Sequence, residues 1–379
     1  MEKLYDNKAQ CCGCGACGAV CPTGAIVFAS DGRFFYPRID ADKCVGCGKC
    51  ASVCAFKLPK DETPNCRSAF ALKAARTVRM VSSSGGAFTV LSDAVLARGG
   101  AVYGAAFDEA MRVVHLRAED AAGRDRMRGS KYVRSDMTGV YDAIKADLAA
   151  GTPVLFTGTP CQVAAVKAVC GENGLLYTAD LICHGPASPE IWRQFIALLE
   201  KRYGKKAVGF SFRDKAVSWR EYSSKVTFAD GSAVGANDLT GSFTEVFRYE
   251  LCLAPSCAAC RYASVHREGD LTVGDFWGVE KVFPSADDGA GVSALLVNTE
   301  KGERLLRAIE AAAELLPCAP EEIAAGQVNM KHSAVLSPES ERFYAICEEK
   351  GLEKALAAYT RVGIRRRAKD AVKAVLKKG

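Results

Sequence analysis

Apolar and polar residues first fall into a regular order near the N-terminus. Ala25-Ile26-Val27-Phe28, a polar Asp31-Gly32 break and Phe34-Phe35-Tyr36-Pro37-Arg38-Ile39 predict a strand, a turn and a second strand. Over 56–65 the chain turns to Lys, Pro, Asp, Glu and Thr, a linker composition, and the linker as a whole is placed at 61–76. Thr77-Val78-Arg79-Met80-Val81 predicts a buried strand. It runs into Ser82-Ser83-Ser84-Gly85-Gly86 and a helix with Phe88, Leu91, Val95 and Leu96 on one face. Residues 100–107 and 112–117 alternate like an antiparallel pair. Val154-Leu155-Phe156 predicts a strand ending in Thr157-Gly158-Thr159-Pro160-Cys161, followed by a helix through Val163, Ala164, Val166 and Val169; Thr159 suits the cap and Pro160 the first helical position. A further strand at 175–182 ends in Cys183-His184-Gly185-Pro186, and 189–203 has the period of an amphipathic helix. The segment with Phe212-Arg213-Asp214-Lys215 and Trp219-Arg220 mixes charge and aromatics as solvated hairpins do. Val292-Ser293-Ala294-Leu295-Leu296-Val297-Asn298 predicts a core strand, and the remainder is largely helical.

At 379 residues the chain is too long for one small domain. The pattern, with the paired cysteine runs Cys11-x-x-Cys14-x-x-Cys17-x-x-x-Cys21 and Cys44-x-x-Cys47-x-x-Cys50-x-x-x-Cys54, divides it into a small bacterial-ferredoxin-like domain at 1–60, the linker, a larger mixed-sheet α/β domain at 77–345 and a basic helical tail at 346–379, an α+β/α/β combination. From 361 to 378 that tail carries eight basic residues against one acid, Asp370, and is expected to be a solvated helix. The formal net charge of +6, from 50 basic and 44 acidic side chains, gives no reason to expect nucleic-acid binding. Leu4-Tyr5-Asp6-Asn7-Lys8 lacks the apolar core of a signal peptide, and no apolar run approaches membrane-spanning length. A cytoplasmic protein of an oxygen-poor setting is expected, because 18 cysteines, mostly in ligand spacing, suit a reducing compartment better than a disulfide scaffold.

The cysteines carry the strongest chemistry. Cys11-x-x-Cys14-x-x-Cys17-x-x-x-Cys21-Pro22 recurs as Cys44-x-x-Cys47-x-x-Cys50-x-x-x-Cys54, the spacing of a protein that holds two [4Fe-4S] cubanes. In such a pair the fourth cysteine of each run reaches the other cluster. Cys11, Cys14, Cys17 and Cys54 are therefore assigned to one cluster, and Cys44, Cys47, Cys50 and Cys21 to the second. Glycines at 13, 15, 46 and 48 let the loops close around the irons. Zinc is the alternative that Cys-x-x-Cys knuckles also permit.

Elsewhere the residues leave readings open. Strand, Ser/Gly loop and helix at 77–96 is how an open sheet offers backbone N–H groups to a phosphate, and is also an ordinary tight turn. Lys131, after Gly129-Ser130, is by itself more typical of a solvated side chain than of a functional one. Cys161 in the first turn of a helix is a cluster ligand, a reactive thiol or a small buried apolar residue. His184 is a satisfied structural histidine unless the fold brings it to a site. Cys257-x-x-Cys260 needs two more thiolates for a third cluster. Cys161 and Cys183 lie at strand ends, Cys252 is a rival through the x4, x2 spacing of plant-type two-iron sites, and zinc again competes.

Ser83-Ser84-Gly85-Gly86, Gly129-Ser130-Lys131-Tyr132-Val133, Thr157-Gly158-Thr159-Pro160-Cys161-Gln162, Asp180-Leu181-Ile182-Cys183-His184-Gly185, Phe212-Arg213-Asp214-Lys215 and Cys257-x-x-Cys260 to Gly274-Asp275-Phe276-Trp277-Gly278 stand in one order. In that order the chain resembles the coenzyme F-420 hydrogenase/dehydrogenase beta-subunit family in its form with an N-terminal double-cluster ferredoxin. More distantly it is similar to plant 7-hydroxymethyl chlorophyll a reductase. The resemblance implies FAD in the α/β domain, held by Ser83, Ser84, Gly85, Gly86, Gly129, Ser130, Lys131, Thr157, Gly158, Thr159 and Pro160, beside a third [4Fe-4S] cluster on Cys161, Cys183, Cys257 and Cys260. Lys131 and His184 are the candidate catalytic residues. Ala55 and Ala254 depart from the family, where Pro and Arg are common; the first change is harmless and the second removes a possible anion contact. The activity implied is electron exchange between ferredoxin or a similar carrier and a small-molecule hydride acceptor or donor. A homo-oligomer is allowed, and a non-catalytic electron-transfer subunit is the alternative.

Overall fold

The computed structural model describes residues 4–216 and 218–362. The N-terminal hairpin forms as expected: β1 (Ile26–Ser30) pairs antiparallel with β2 (Phe35–Ile39), in register Phe28 opposite Pro37. Asp31 closes its turn by accepting from the backbone N–H groups of Arg33 at 2.9 Å and Phe34 at 2.7 Å. The short helices Ala16–Ala19 and Lys49–Ser52 follow the two cysteine loops.

The rest of the chain contributes β3 (Ser68–Ala74), β4 (Ala101–Phe107), β5 (Val113–Ala118), β6 (Val154–Gly158), β7 (Leu176–Leu181), β8 (Ala207–Asp214), β9 (Ser223–Phe228), β10 (Ala233–Gly235), β11 (Leu271–Asp275), β12 (Ser293–Val297) and β13 (Ala313–Cys318). Eight of these form one mixed sheet in the order β13-β3-β12-β11-β7-β6-β4-β5. β4, β6, β7 and β11 run parallel at its centre, while β5, β12, β3 and β13 pair antiparallel towards its edges. A parallel centre must be covered on both faces, so β6 is buried along its whole length, and antiparallel β12 beside β11 is buried throughout as well. A second, three-stranded sheet, β10-β9-β8, packs with the helices Pro189–Tyr203 and Asp238–Arg248 around Trp192, Phe195, Phe210, Phe212 and Phe243.

The expected β4–β5 pair, the helix Pro160–Cys170 with Thr159 at its cap, the helix Pro189–Tyr203 and the core strand β12 are all present. Three expectations are corrected. The strand placed at 77–81 is the helix Arg76–Met80, and the strand before the Ser/Gly loop is β3, inside the expected linker. The linker composition gave no warning, because β3 is stabilised by pairing on both sides with distant β12 and β13. The charged segment at the end of β8 and just beyond it is not solvated: Arg213 is 6%, Lys215 8% and Trp219 1% exposed. From residue 363 the expected basic tail lies outside the described residues; before it stand the helices Ser340–Lys350 and Leu352–Tyr359. Among the described residues no helix is long and apolar enough to cross a membrane.

The N-terminal region is tied to the sheet domain at several points. The Tyr262 hydroxyl donates to the Ala55 carbonyl at 2.7 Å, Tyr141 to the Cys14 carbonyl at 2.6 Å and Ser188 to the Arg33 carbonyl at 2.6 Å. Arg33 also pairs with both oxygens of Glu341 while lying 3.9 Å over the Tyr344 ring.

Candidate functional site

Open α/β sheets place their sites beyond the carboxyl ends of parallel strands, where turns leave room and helices begin. Here that edge carries Thr157 and Gly158 of β6, Leu181 and the following Ile182 and Cys183 after β7, and Gly274 and Asp275 of β11. They open into one cavity of about 510 Å³. Every residue expected to hold a flavin lines it except Gly85, which supports the wall from behind. A Cβ at Gly85 would stand 2.2 Å from the Leu72 carbonyl oxygen and 2.4 Å from the Ser293 nitrogen, so this loop seats against the sheet only with glycine there. The Gly85 N–H donates to Ser293 Oγ at 2.9 Å, and Ser84 Oγ to the Val292 carbonyl at 2.8 Å. Ser83 Oγ meets the Ser130 N–H at 2.8 Å, joining two of the expected flavin segments. The ammonium of buried Lys215 fixes this loop, donating to the carbonyls of Arg79, Ser84 and Ala290 at 2.6–2.8 Å.

The helices Ala87–Leu96 and Pro160–Cys170 both begin at this cavity, and the positive ends of two helix dipoles favour an anionic group there. The cavity floor also carries buried polar atoms without a partner, His115 Nδ1 and Asp275 Oδ1. Anion-seeking helix starts plus unsatisfied polar atoms over an apolar wall fit a large cofactor with a phosphate end and a polar ring system.

Lys131 half-buries its ammonium against three backbone carbonyls, of Arg126, Met127 and Arg128, at 3.3, 2.9 and 2.7 Å. Burial pulls its pKa down to about 7, while the three acceptors favour the charged form. It thus braces the turn that carries Gly129. His184 stands at the mouth with Nε2 3.4 Å from Glu250 and Nδ1 3.4 Å from Asn329, edge-on to Phe247. Phe247 in turn stacks on Tyr132 with ring centroids 4.6 Å apart. Arg213 pairs with Asp275 at 2.7 Å and lies 4.5 Å over the Tyr222 ring, which joins two of the family-order segments at the cavity wall.

His115 was not signalled by any motif, since a lone histidine in an alternating strand reads as filler. Its Nε2 donates to the Thr157 carbonyl at 3.0 Å, its ring stacks on Phe156, and burial lowers its pKa to about 4. Folded protein then resists protonation at His115 while the unfolded chain takes up a proton below its ordinary value of 6.5. Stability is therefore expected to be level above pH 6.5 on this account and to fall between pH 6.5 and 4, by up to roughly 3 kcal/mol. Unfolding midpoints across that range, compared with His115→Gln, check this; an unchanged slope in the variant refutes it.

Among the ferredoxin cysteines, Cys11, Cys14, Cys17 and Cys54 line one small cavity. Cys14 and Cys54 bear on the Cys11 thiol, Cys11, Cys14 and Cys54 on that of Cys17, and Cys47 and Cys21 on that of Cys50. Gly13, Gly15, Gly46 and Gly48 all take positive φ, from 64° to 86°. Backbone N–H groups turn toward the sulfurs, that of Ala25 reaching Cys21 Sγ at 3.2 Å, as a thiolate bound to iron requires. The small cavity has a volume of about 30 Å³.

A further group assembles from the sheet edge: Cys161 at the start of its helix, Cys183 after β7, and Cys257 and Cys260 from the loop before β11. Burial raises the Cys183 and Cys257 thiols, the second to about 12, and the charge of Cys257 adds to the rise at Cys183. Cys252, the rival, is buried in the aromatic core beside Cys347 and does not line the cavity. Cys12, outside the repeat frame, was passed over. Its thiol donates to Cys161 and Cys14, raising its own pKa and lowering theirs, so it stands between the ferredoxin group and the sheet-edge group. Among the described residues no three His, Cys, Asp or Glu side chains crowd one point closely enough for a single metal ion. A cubane takes one thiolate on each of four irons, which spreads its ligands wider.

Residues 151–322 match the C terminus of the coenzyme F420 hydrogenase/dehydrogenase beta subunit, and residues 10–58 match a 4Fe-4S dicluster domain. Over that C-terminal stretch the chain carries a domain of the coenzyme F420 hydrogenase/dehydrogenase beta-subunit family. This F420 hydrogenase/dehydrogenase match spans the strands and cysteines that build the sheet-edge group, and the dicluster match spans both ferredoxin runs. The chain is thus an iron–sulfur redox protein related to an oxidoreductase family. Among solved structures it is similar to a chain of the F420-reducing [NiFe] hydrogenase complex from Methanosarcina barkeri, with 16% identity, a TM-score of 0.46, and 79% of this chain and 92% of that one covered. No curated protein matches.

Proposed function

We propose that this chain is an iron–sulfur flavoprotein oxidoreductase that moves electrons between a ferredoxin-type carrier and a two-electron organic partner. One observation carries the reading: the cavity with two helix starts is walled by Cys161, Cys183, Cys257 and Cys260, and that group adjoins the ferredoxin cysteines. Clusters pass single electrons, whereas a flavin exchanges both single electrons and hydrides, so the flavin belongs where the two kinds of carrier meet. The loops at 83–86, 129–131 and 157–160 would hold FAD, its diphosphate toward the helix starts. The 1–60 unit would hold two [4Fe-4S] clusters and the four sheet-edge cysteines a third. His184, at the mouth between Glu250 and Asn329, is the proton donor or acceptor facing a substrate. Lys131 keeps the Gly129 turn in place rather than meeting substrate.

The matched family is one of subunits, which favours a second reading, an electron-transfer subunit whose partner does the substrate chemistry. Anaerobic purification with iron, sulfide, zinc and flavin analysis separates the two. About twelve irons with one FAD is the expected result. About eight irons without flavin supports the carrier, and zinc without sulfide defeats both.

A further inference from the structure

Among the described residues no carboxylate pairs with Arg134 in the observed contacts. Its Nε and Nη1 atoms are buried and have no hydrogen-bond partner. A buried guanidinium in that state is costly unless negative charge is brought to it. The groups that surround it say what that charge is. Arg134 lines the cavity together with Cys161, Cys183, Cys257 and Cys260, and on its other side it lies against the loop between Cys11 and Cys14. A Cβ on Gly13 would stand 2.2 Å from Nη1, so the guanidinium rests on the bare backbone of the first Cys-x-x-Cys loop. Phe34 covers it, with the ring centroid 5.1 Å away. Its backbone is fixed by an N–H donated to the Ala187 carbonyl at 3.1 Å.

We propose that Arg134 is a positioning charge shared by two redox centres, the Cys11/Cys14/Cys17/Cys54 group and the Cys161/Cys183/Cys257/Cys260 group, and that it stabilises the reduced state of both. The inference rests on the proposed cluster assignments. Electron exchange between the groups removes one electron from one centre and adds it to the other, with no bond or proton changing hands. Each reduction adds a negative charge where water is excluded, and a fixed cation between the centres offsets it. Sharing one cation keeps the two potentials rising and falling together, so the step between them stays nearly level. The Cys21/Cys44/Cys47/Cys50 group, with Cys47 open to solvent, is screened and serves as the internal control.

The test is an EPR-monitored potentiometric titration of the anaerobically purified full chain and of Arg134→Gln. At a fixed potential the ratio of reduced to oxidised cluster is expected to fall about tenfold at both inner centres, a shift of ~59 mV for a one-electron couple. The outer centre should not move. Arg134→Lys should restore most of the shift. If Arg134→Gln loses iron, Arg134→Met is the second neutral replacement. Loss of iron in both neutral variants but not in Lys also supports the charge role, whereas loss in Lys as well makes Arg134 a structural residue and overturns it. Full iron with unmoved potentials, or equal movement of all three centres, overturns it too. A wild-type protein without clusters fails the cluster assignment instead, which iron and sulfide content reports separately.

Discussion

Replacing Asp180 by Ala is expected to lower unfolding stability by about 3–5 kcal/mol, the loss that follows when one member of a buried ion pair is removed. Asp180 and Arg267 have essentially no exposed surface and meet at 2.9 Å. The second carboxylate oxygen accepts from the backbone N–H groups of Glu268 and Gly269 at 2.9 and 3.0 Å. Arg267 spends its other donors on the carbonyls of Leu181, Tyr262 and Ser264. One ion pair thus ties the end of β7, three residues before Cys183, to the loop that carries Cys257 and Cys260. Loss of Asp180 leaves a buried cation unmatched and frees two cysteine-bearing segments at once. Denaturant unfolding of Asp180→Ala beside wild type measures it, and a loss under about 1 kcal/mol would falsify the account.

The second large effect is chemical. Cys257→Ala should remove about four irons per chain while the ferredoxin clusters stay. Cys257 lies beside Cys161 and Cys260, and a Cβ on Gly185 would come within 3.0 Å of its sulfur. Electron delivery to a two-electron acceptor should fall by orders of magnitude while one-electron reduction of the remaining clusters by dithionite persists. Unchanged iron in the variant would show that the sheet-edge group holds no cluster.

Much of this was legible in the sequence for a specific reason. Cubane ligation imposes a short, rigid spacing, and Cys11 to Cys54 state it twice. The hairpin, the β4–β5 pair and the helix after Thr159-Pro160 were legible because turns, alternation and caps are local. β3 was missed because distant partners make it a strand, and the five residues Arg76–Met80 are too short a run for periodicity to tell helix from strand. Arg213 and Lys215 looked like surface charges; their burial depends on Asp275 and on three carbonyls that only the fold brings near. The fold was also needed to show that Cys183 lines the cavity with Cys161, Cys257 and Cys260 while Cys252 does not, since spacing favoured neither. Cys12 and Arg134 belong to no repeat and gain meaning only between two groups of thiols.

The two kinds of cysteine group also differ in when they can exist. The ferredoxin ligands all lie between residues 11 and 54 and need only a hairpin and two short helices beneath them. The sheet-edge group draws on positions from 161 to 260, delivered by β6, β7 and the loop before β11. A chain emerging from the ribosome therefore completes its ferredoxin sites before the first sheet-edge cysteine has been made. The sheet-edge site closes only once the parallel strands have paired, which makes its completion a report on the finished fold.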